Sequence, residues 1–423
     1  MAGALSGIRV LDFGRAVAGA YTTMLLSDMG AEINKVEIVP DTDLEAMDLE
    51  QVQPTEAIAH FWGLNRGKRG LCLDMTKPSA REIAYDLVKV SDVVHDNFRP
   101  GVLDRLGIDY DTLKQHNPKI ISCSLSGYGE NGPHARRASY DVIVQALCGV
   151  MSMTGENEES MPLPCGVAIG DLAGGLFAAF GIASALMSRE RTGVGQRVES
   201  SIYEAMLSFE SYRVPQVFGA GMNFGPHPRR SGAGQVPYGP FKTKDGWICL
   251  AAGSQNFWEA LCKTIGREDL INNPRFNTLD RRRENEEEIS DIINEATQTK
   301  TGAEWEEISG EIGVPIGKVN NIEEAFMHPQ AQARDMLVSF DHPLGKKIKC
   351  AGNPIKMSAT QNEEYKPAPG IGEHTKEILS TLLGYPEEKI AKLREERAIW
   401  YPYEGVTYGT GGPLDRFQWL RSP

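Results

Sequence analysis

The chain has 423 residues, 41% hydrophobic and 24% charged, a balance that suits a folded protein of two domains and not a disordered one. Its 44 basic and 57 acidic residues leave a formal charge of −13, which disfavours nonspecific binding to nucleic acid or to an anionic membrane. A phosphate-bearing ligand therefore needs a local basic patch. The start, MAGALSGIRVLDF, lacks the basic end and apolar centre of a signal peptide, and the 7 cysteines are spread without a C-x-x-C pair. A reducing, cytoplasmic setting is expected. The 8 histidines show no H-x-x-x-H spacing, so no metal site is expected.

In chain order, IRVLDF (8–13) reads as a strand, AGAYTTMLLSDMG (18–30) as a helix stopped by Gly30, and AEINKVE (31–37) as a second strand. Strand, helix and strand with short joints make a βαβ unit, so a parallel sheet with ligands at its carboxyl ends is expected. The turn after the first strand carries Gly14 and Gly19 but neither G-x-G-x-x-G nor a P-loop lysine, which argues against a dinucleotide or a nucleoside triphosphate. Residues 38–58 read as an acidic surface excursion, and Arg66, Lys68 and Arg69 beyond them as a solvated loop beside a short strand. A helix over 79–90, a strand at 92–98, a turn at Arg99, Pro100 and Gly101, a short helix with Arg105 and a strand at 119–126 follow. Asn97 and Phe98 then stand at a strand's carboxyl end.

A glycine-rich loop leads to a helix starting at about Ser139, with Arg136 and Arg137 ahead of it, where an anion would meet free N–H groups and two guanidiniums. The apolar run from Leu172 to Met187 reads as a core helix, too short to cross a bilayer comfortably. A strand at 195–201 and a helix from Ile202 to Phe218 precede a Gly-, Pro- and Arg-rich stretch at 220–239, where a domain boundary is expected. Beyond it come a hairpin turning at Asp245 and Gly246, charged helices to about Gly310 in which DRRRENEEE (280–288) reads as a solvated face, and β-like pieces from Val338. A helix stopped by Gly384 and an aromatic tail complete the chain. The expected domains are 1–220, 221–337, and a segment 338–423 that returns to the first.

Asp171 is the one carboxylate in GVAIGDLAGGLFAAFGIASALM (166–187). An acid just ahead of an apolar run is first of all a helix N-cap, accepting from N–H groups that lack partners. The same geometry supports another role: the positive end of a helix dipole keeps the carboxylate ionised, and an ionised carboxylate can attack an acyl carbon. The two readings stay open on the residues alone.

Taken together, LDFGRAVAGAYTTMLLSDMGAEINKVE, NRGKRGLCLD, DNFRPGVLDRLGIDYDTL, NPKIISCSLSGYGENGP, SYDVIVQALCGVMSMTG, GDLAGG and TGVGQRVESSIYEAM resemble the family III CoA-transferases in order and spacing. The resemblance implies an enzyme that moves CoA from an acyl-CoA donor to a free carboxylic acid, with the CoA thioester as substrate and no tightly bound cofactor. It implies an interlocked homodimer with a Rossmann-like α/β large domain and a smaller α+β domain. Asp171 matches the family nucleophile, passing through an aspartyl anhydride and an aspartyl-CoA thioester. Ala16, Val17 and Ala18 match the loop at the CoA thiol end, and Leu73, Asn97, Phe98 and Arg105 match CoA contacts. Tyr140 matches an active-site tyrosine, and Gly232, Ala233, Gly234 and Gln235 resemble a glycine loop that closes over the site. Ile38 and Ala138 depart from basic residues that some members use for the nucleotide, a task left to Arg136 and Arg137. Oxyanions would be met by N–H groups near Gly170 to Gly175 or in the glycine loop.

Two rivals remain. α-Methylacyl-CoA racemases resemble the same sequence but use a histidine and an aspartate as an acid/base pair; here Tyr140 stands at the histidine's place, with His134 the nearest alternative, and tyrosine is a poor base near neutral pH. The other is a noncatalytic CoA- or nucleotide-binding protein in which Asp171 only caps its helix.

Overall fold

The computed structural model describes residues 2–39, 56–226, 234–342, 346–360 and 364–402. The first half alternates: β1 (Arg9–Asp12), α1 (Ala16–Asp28), β2 (Glu32–Glu37), α2 (Glu56–Asn65), β3 (Lys68–Leu73), α3 (Pro78–Lys89), β4 (Val93–Asp96), α4 (Val102–Leu106), α5 (Tyr110–His116) and β5 (Ile121–Ser126). Then come α6 (Asp141–Leu147), α7 (Ile169–Thr192), β6 (Arg197–Ser201) and α8 (Ile202–Phe209). The strands are short β-branched runs, and the helices start where the chemistry allows: Pro78 opens α3, the Asp109 side chain accepts from Thr112 N–H at α5, and Ser201 does the same for Glu204 at α8. The expected helix from Ile202 to Phe218 stops at Phe209, and a separate turn spans Pro215–Gly219; Pro215, having no N–H, could not carry an unbroken ladder through to Phe218. The excursion expected over 38–58 falls mostly on residues 40–55, outside the described residues; the unanticipated α2 begins directly after them.

The second half contains β7 (Tyr238–Lys242), β8 (Trp247–Ala251), α9 (Gln255–Thr264), α10 (Leu279–Glu284), α11 (Glu286–Thr297), α12 (Gly302–Ile312), β9 (Ile316–Lys318), α13 (Ile322–Met327) and α14 (Pro329–Ala333). β10 (Leu337–His342), β11 (Lys346–Ala351), α15 (Thr375–Thr381), α16 (Glu387–Glu395) and β12 (Ile399–Trp400) follow. β7 and β8 form the expected hairpin, Thr243 N–H bonding to the Gly246 carbonyl across its turn.

The chain divides into two compact units, one of residues 1–148, 166–213 and 332–423, the other of 149–165 and 214–331. The first holds a seven-stranded sheet in the order β12-β3-β2-β1-β4-β5-β6, parallel except for β12, which runs antiparallel to β3. One face of that sheet buries Leu11, Leu71, Leu87, Ile108, Leu379 and Ile399 in a single core, so α15 and β12 from the far end of the chain complete what the first strands begin. The second unit packs a three-stranded antiparallel sheet, β7-β8-β9, on helices around Phe241, Trp258, Phe276, Ile289 and Trp305. This is a mixed α/β protein with a large parallel sheet.

The α7 helix is 24 residues long and, by length and composition, apolar enough to cross a membrane, longer than the sequence run suggested. Half of its apolar stretch is buried within the protein. Small residues set that packing: a Cβ added at Gly174 would stand 3.2 Å from the Leu125 side chain and 3.3 Å from that of Ile202.

Candidate active site

The strand order 3-2-1-4-5-6 reverses direction between β1 and β4, so the loops leaving these neighbouring strands diverge and open a crevice at their carboxyl ends. Into that crevice run Phe13, Gly14 and Arg15 from β1, and Asn97 and Phe98 from β4. α1 starts there at Ala16 and packs against α7 so closely that a Cβ on Gly175 would stand 2.9 Å from the Ala18 carbonyl oxygen and 3.0 Å from the Tyr21 ring. Asp171 lies one turn ahead of Gly175 on the same helix face. The fold thus places the acid beside the turn at Ala16 to Ala18.

Asp171 is the third residue of α7, one turn too late to be its cap; the cap position is Ala168, whose side chain makes no capping bond. Asp141 at the start of α6 does that work: its Oδ1 accepts from Gly170 N–H at 2.7 Å and Asp171 N–H at 3.3 Å, while Oδ2 accepts from Gln145 Nε2 at 2.6 Å. Leu172 N–H bonds to the Ala168 carbonyl. Of the two readings left open for Asp171, the N-cap is therefore not the one adopted, and the N–H groups of residues 170 to 172, among the donors considered for an oxyanion, are already engaged. Burial, and after it the charge of Asp141, push the Asp171 carboxyl up to about 6. Burial thus opposes the ionised form that the helix dipole favours. Among the described residues no hydrogen bond engages the Asp171 side chain. Asp141 was missed in sequence because it reads as the ordinary acid of its own helix; Tyr140-Asp141 at a helix start was its one visible signal.

Ala16 is exposed, Val17 half-buried and Ala18 buried. Asn97 is tied to the neighbouring turn at both ends of its amide: its Oδ1 accepts from Arg15 N–H at 2.8 Å and its Nδ2 donates to the Arg15 carbonyl at 2.9 Å. Leu73 and Phe98 lie in the large core, Phe98 with its ring 6.5 Å from that of Phe13 and the Arg15 guanidinium 5.6 Å above it. Arg105 on α4 is exposed, as are Arg136, Arg137 and Ala138 in the loop before α6, which begins at Asp141 and not at Ser139. Tyr140 projects with 75% of its surface exposed, and the His134 ring meets the Tyr128 ring edge-on at 5.7 Å. Gly234 and Gln235 belong to the second unit, where the Gly234 carbonyl accepts from Arg283 Nε at 2.5 Å. Gly232 and Ala233 lie outside the described residues.

The basic run expected to be a solvated loop is largely buried. Arg66 makes a two-pronged pair with Asp28 at 3.0 and 2.6 Å. Lys68 Nζ donates to the Ala20 carbonyl and Asn65 Oδ1, each at 3.0 Å, and lies 3.4 Å from Asp12; burial draws its ammonium down to about 7. Alternation through β3 turns Lys68 inward against Asp12, which Thr23 and the Gly14 N–H also hydrogen-bond. DRRRENEEE is likewise not all solvated: Arg282 is fully buried and donates to the carbonyls of Val236, Phe276 and Gly253.

The sequence matches the CoA-transferase family III profile over residues 5–375. It is 37% identical over 409 residues to an acyl-CoA transferase of Fusarium pseudograminearum, covering 94% of this chain and 88% of that one. With succinyl-CoA:glutarate CoA-transferase of Mus musculus it shares 33% identity over 392 residues, 92% of this chain and 88% of the other. Its fold superposes on the crystal structure of a CAIB/BAIF family protein from Brucella suis with a TM-score of 0.79 at 31% identity, over 90% of this chain and all of that one. The parallel sheet, its crevice and these likenesses agree: the chain belongs to CoA-transferase family III and is a CoA-transferase.

Proposed function

We propose that Asp171 is the nucleophile of a two-stage CoA transfer from an acyl-CoA to a free carboxylic acid. The observation that carries this reading is its half-buried carboxylate, held in the crevice by a helix whose first N–H groups Asp141 has already taken. A carboxylate engaged as a cap would be a poorer nucleophile; this one keeps its lone pairs, and above pH 6 it is ionised in a poorly solvated place. An Asp171 oxygen attacks the thioester carbonyl, the C–S bond breaks, and a mixed anhydride and CoA thiolate form. The thiolate attacks the aspartyl carbonyl, releasing the donor's carboxylate and leaving an aspartyl-CoA thioester. The acceptor carboxylate attacks that thioester and the same two steps run in reverse order, so no ATP is consumed and Asp171 is regenerated.

In this reading the first unit is the CoA-binding domain. With the N–H groups at the head of α7 occupied, oxyanion stabilisation falls to other backbone donors. Arg105, Arg136 and Arg137 are exposed as phosphate ligands need to be. Small dicarboxylic acids are the first donors and acceptors to test, since the mouse relative is named for succinyl-CoA and glutarate. A homodimer is supported by the apolar side chains left in water on α7, where Leu176 is 48%, Phe180 69% and Met187 67% exposed. The seven cysteines, all among the described residues, form no disulfide, which suits a cytoplasmic enzyme.

The test is mass spectrometry in deuterated water of the purified protein with panels of acyl-CoA donors and free acids, beside Asp171→Ala. New acyl-CoA masses that vanish in the variant are expected. Deuterium at the α-carbon of an unchanged thioester, without transfer, would replace this reading with that of a racemase.

A further inference from the structure

The crevice contains one strained residue. Ala16 sits at φ +51°, a left-handed conformation that side chains other than glycine avoid, and it stands where α1 begins beside Asp171. Two buried side chains, Asp12 and Lys35, and the half-buried Asn97 close on the turn that leads into it. Asp12 Oδ1 accepts from Gly14 N–H at 2.8 Å, Lys35 Nζ donates to the Gly14 carbonyl at 2.7 Å, and Asn97 bonds both the N–H and the carbonyl of Arg15. The glycines whose spacing fits no nucleotide fingerprint make this possible. A Cβ on Gly19 would stand 2.6 Å from Asn97 Oδ1, and one on Gly14 would stand 2.7 Å from Asp12 Oδ1. Both positions are bare so that these side chains can reach backbone.

We propose that Asn97 and Lys35 are positioning residues: they clamp the Gly14-Arg15-Ala16 turn in its strained form and so set where the Ala16 to Ala18 backbone meets the acyl group before Asp171. The inference rests on the functional reading above. It gives Asn97 a role beyond ligand contact, because each end of its amide bonds to Arg15. Lys35 is a direct check on this, since it is 6% exposed with its ammonium on Gly14 and has no route to a ligand. The charged groups that face it are Asp12, Glu37 and Arg15, with Lys68 on the far side of Asp12.

Asn97→Ala, Asn97→Asp and Lys35→Met are made in the full-length enzyme, each alone and together with Ala16→Gly. Glycine adopts a positive φ without strain, so it holds the turn when the clamp is gone. With the donor and acceptor found by the mass-spectrometric screen, Asn97→Ala and Lys35→Met each lower kcat by about tenfold, the worth of one or two lost hydrogen bonds. Ala16→Gly restores several-fold of that loss in either background, while Asn97→Asp, which keeps the acceptor for Arg15 N–H, loses less. Thermal midpoints taken alongside separate unfolding from misplacement, since lost stability alone leaves kcat unchanged well below the midpoint. Wild-type activity in a folded Lys35→Met, or no rescue by glycine in any background, overturns the proposal; if Lys35→Met does not fold, the Asn97 series decides. If no donor and acceptor pair turns over, the functional reading fails, and calorimetric binding of free CoA by the same variants decides on the clamp by the same pattern of loss and rescue.

Discussion

Replacing Asp171 by asparagine is expected to abolish transfer and at the same time to stabilise the folded protein at neutral pH. The carboxyl rises from its ordinary 3.8 to about 6 on folding because burial, and then Asp141, penalise the charged form. At about 1.36 kcal/mol for each tenfold change in acidity, holding that charge in the native state costs about 3 kcal/mol above pH 6, an upper figure because the amide must itself be desolvated. The sign follows from proton counting. Between pH 3.8 and 6 the native state binds more protons than the unfolded one, so stability falls as pH rises through that window and is level above it. Below pH 3.8 both states are protonated and the penalty disappears. Urea unfolding of wild type and Asp171→Asn at pH 4, 5, 6 and 7.5 reads this directly: the variant's advantage is absent at pH 4, grows through pH 5 and 6, and reaches about 1–3 kcal/mol at pH 7.5. A variant less stable than wild type at pH 7.5 would mean that Asp171 makes a stabilising bond, as a cap does, and would refute the account of a strained, unsatisfied nucleophile. Full transfer activity in a folded Asp171→Asn would refute it equally.

Asp141→Ala uncovers the Gly170 and Asp171 N–H groups and is expected to lower stability by about 1 kcal/mol, whereas Asp141→Asn keeps an acceptor there and lowers it less. Because Asn removes the neighbouring charge, the acid limb of the pH–rate profile moves below pH 6 in Asp141→Asn, read as kcat/KM against pH. Arg282→Ala strips hydrogen bonds from three buried carbonyls and is expected to cost about 3 kcal/mol or more in the second unit, seen as a lowered thermal transition; lysine at that position cannot reach all three and restores little.

The parallel sheet was legible because its code is local. Runs such as RVLD, EINKVE and ISCSLS alternate with helical segments closed by glycine or opened by proline, and a βαβ order admits few topologies. Asp171 was legible as a lone acid ahead of an apolar helix, and the crevice followed from its strands' carboxyl ends. Where charges went was not. Lys68 and Arg66 read as loop surface because burying a cation depends on partners dozens of residues away, Asp12 and Asp28. Arg282 sits in one of the most charged stretches of the chain and is fully buried, since the carbonyls it serves come from segments that meet it only in space.

The sequence by itself determined most of the elements, the sheet class and the family, because hydrophobic period, turn residues and family motifs are written in neighbours. Only the tertiary structure decided the surroundings of Asp171. Whether Asp171 is a cap or a free, poorly solvated carboxylate depends on Asp141, which belongs to another helix and takes the N–H groups Asp171 would have used. Whether Asn97 meets a ligand or a backbone depends on the neighbouring turn at Arg15, brought to it by the pairing of β1 with β4. Hydrogen bonds and desolvation act over a few ångströms irrespective of chain distance, so they are properties of the packed molecule.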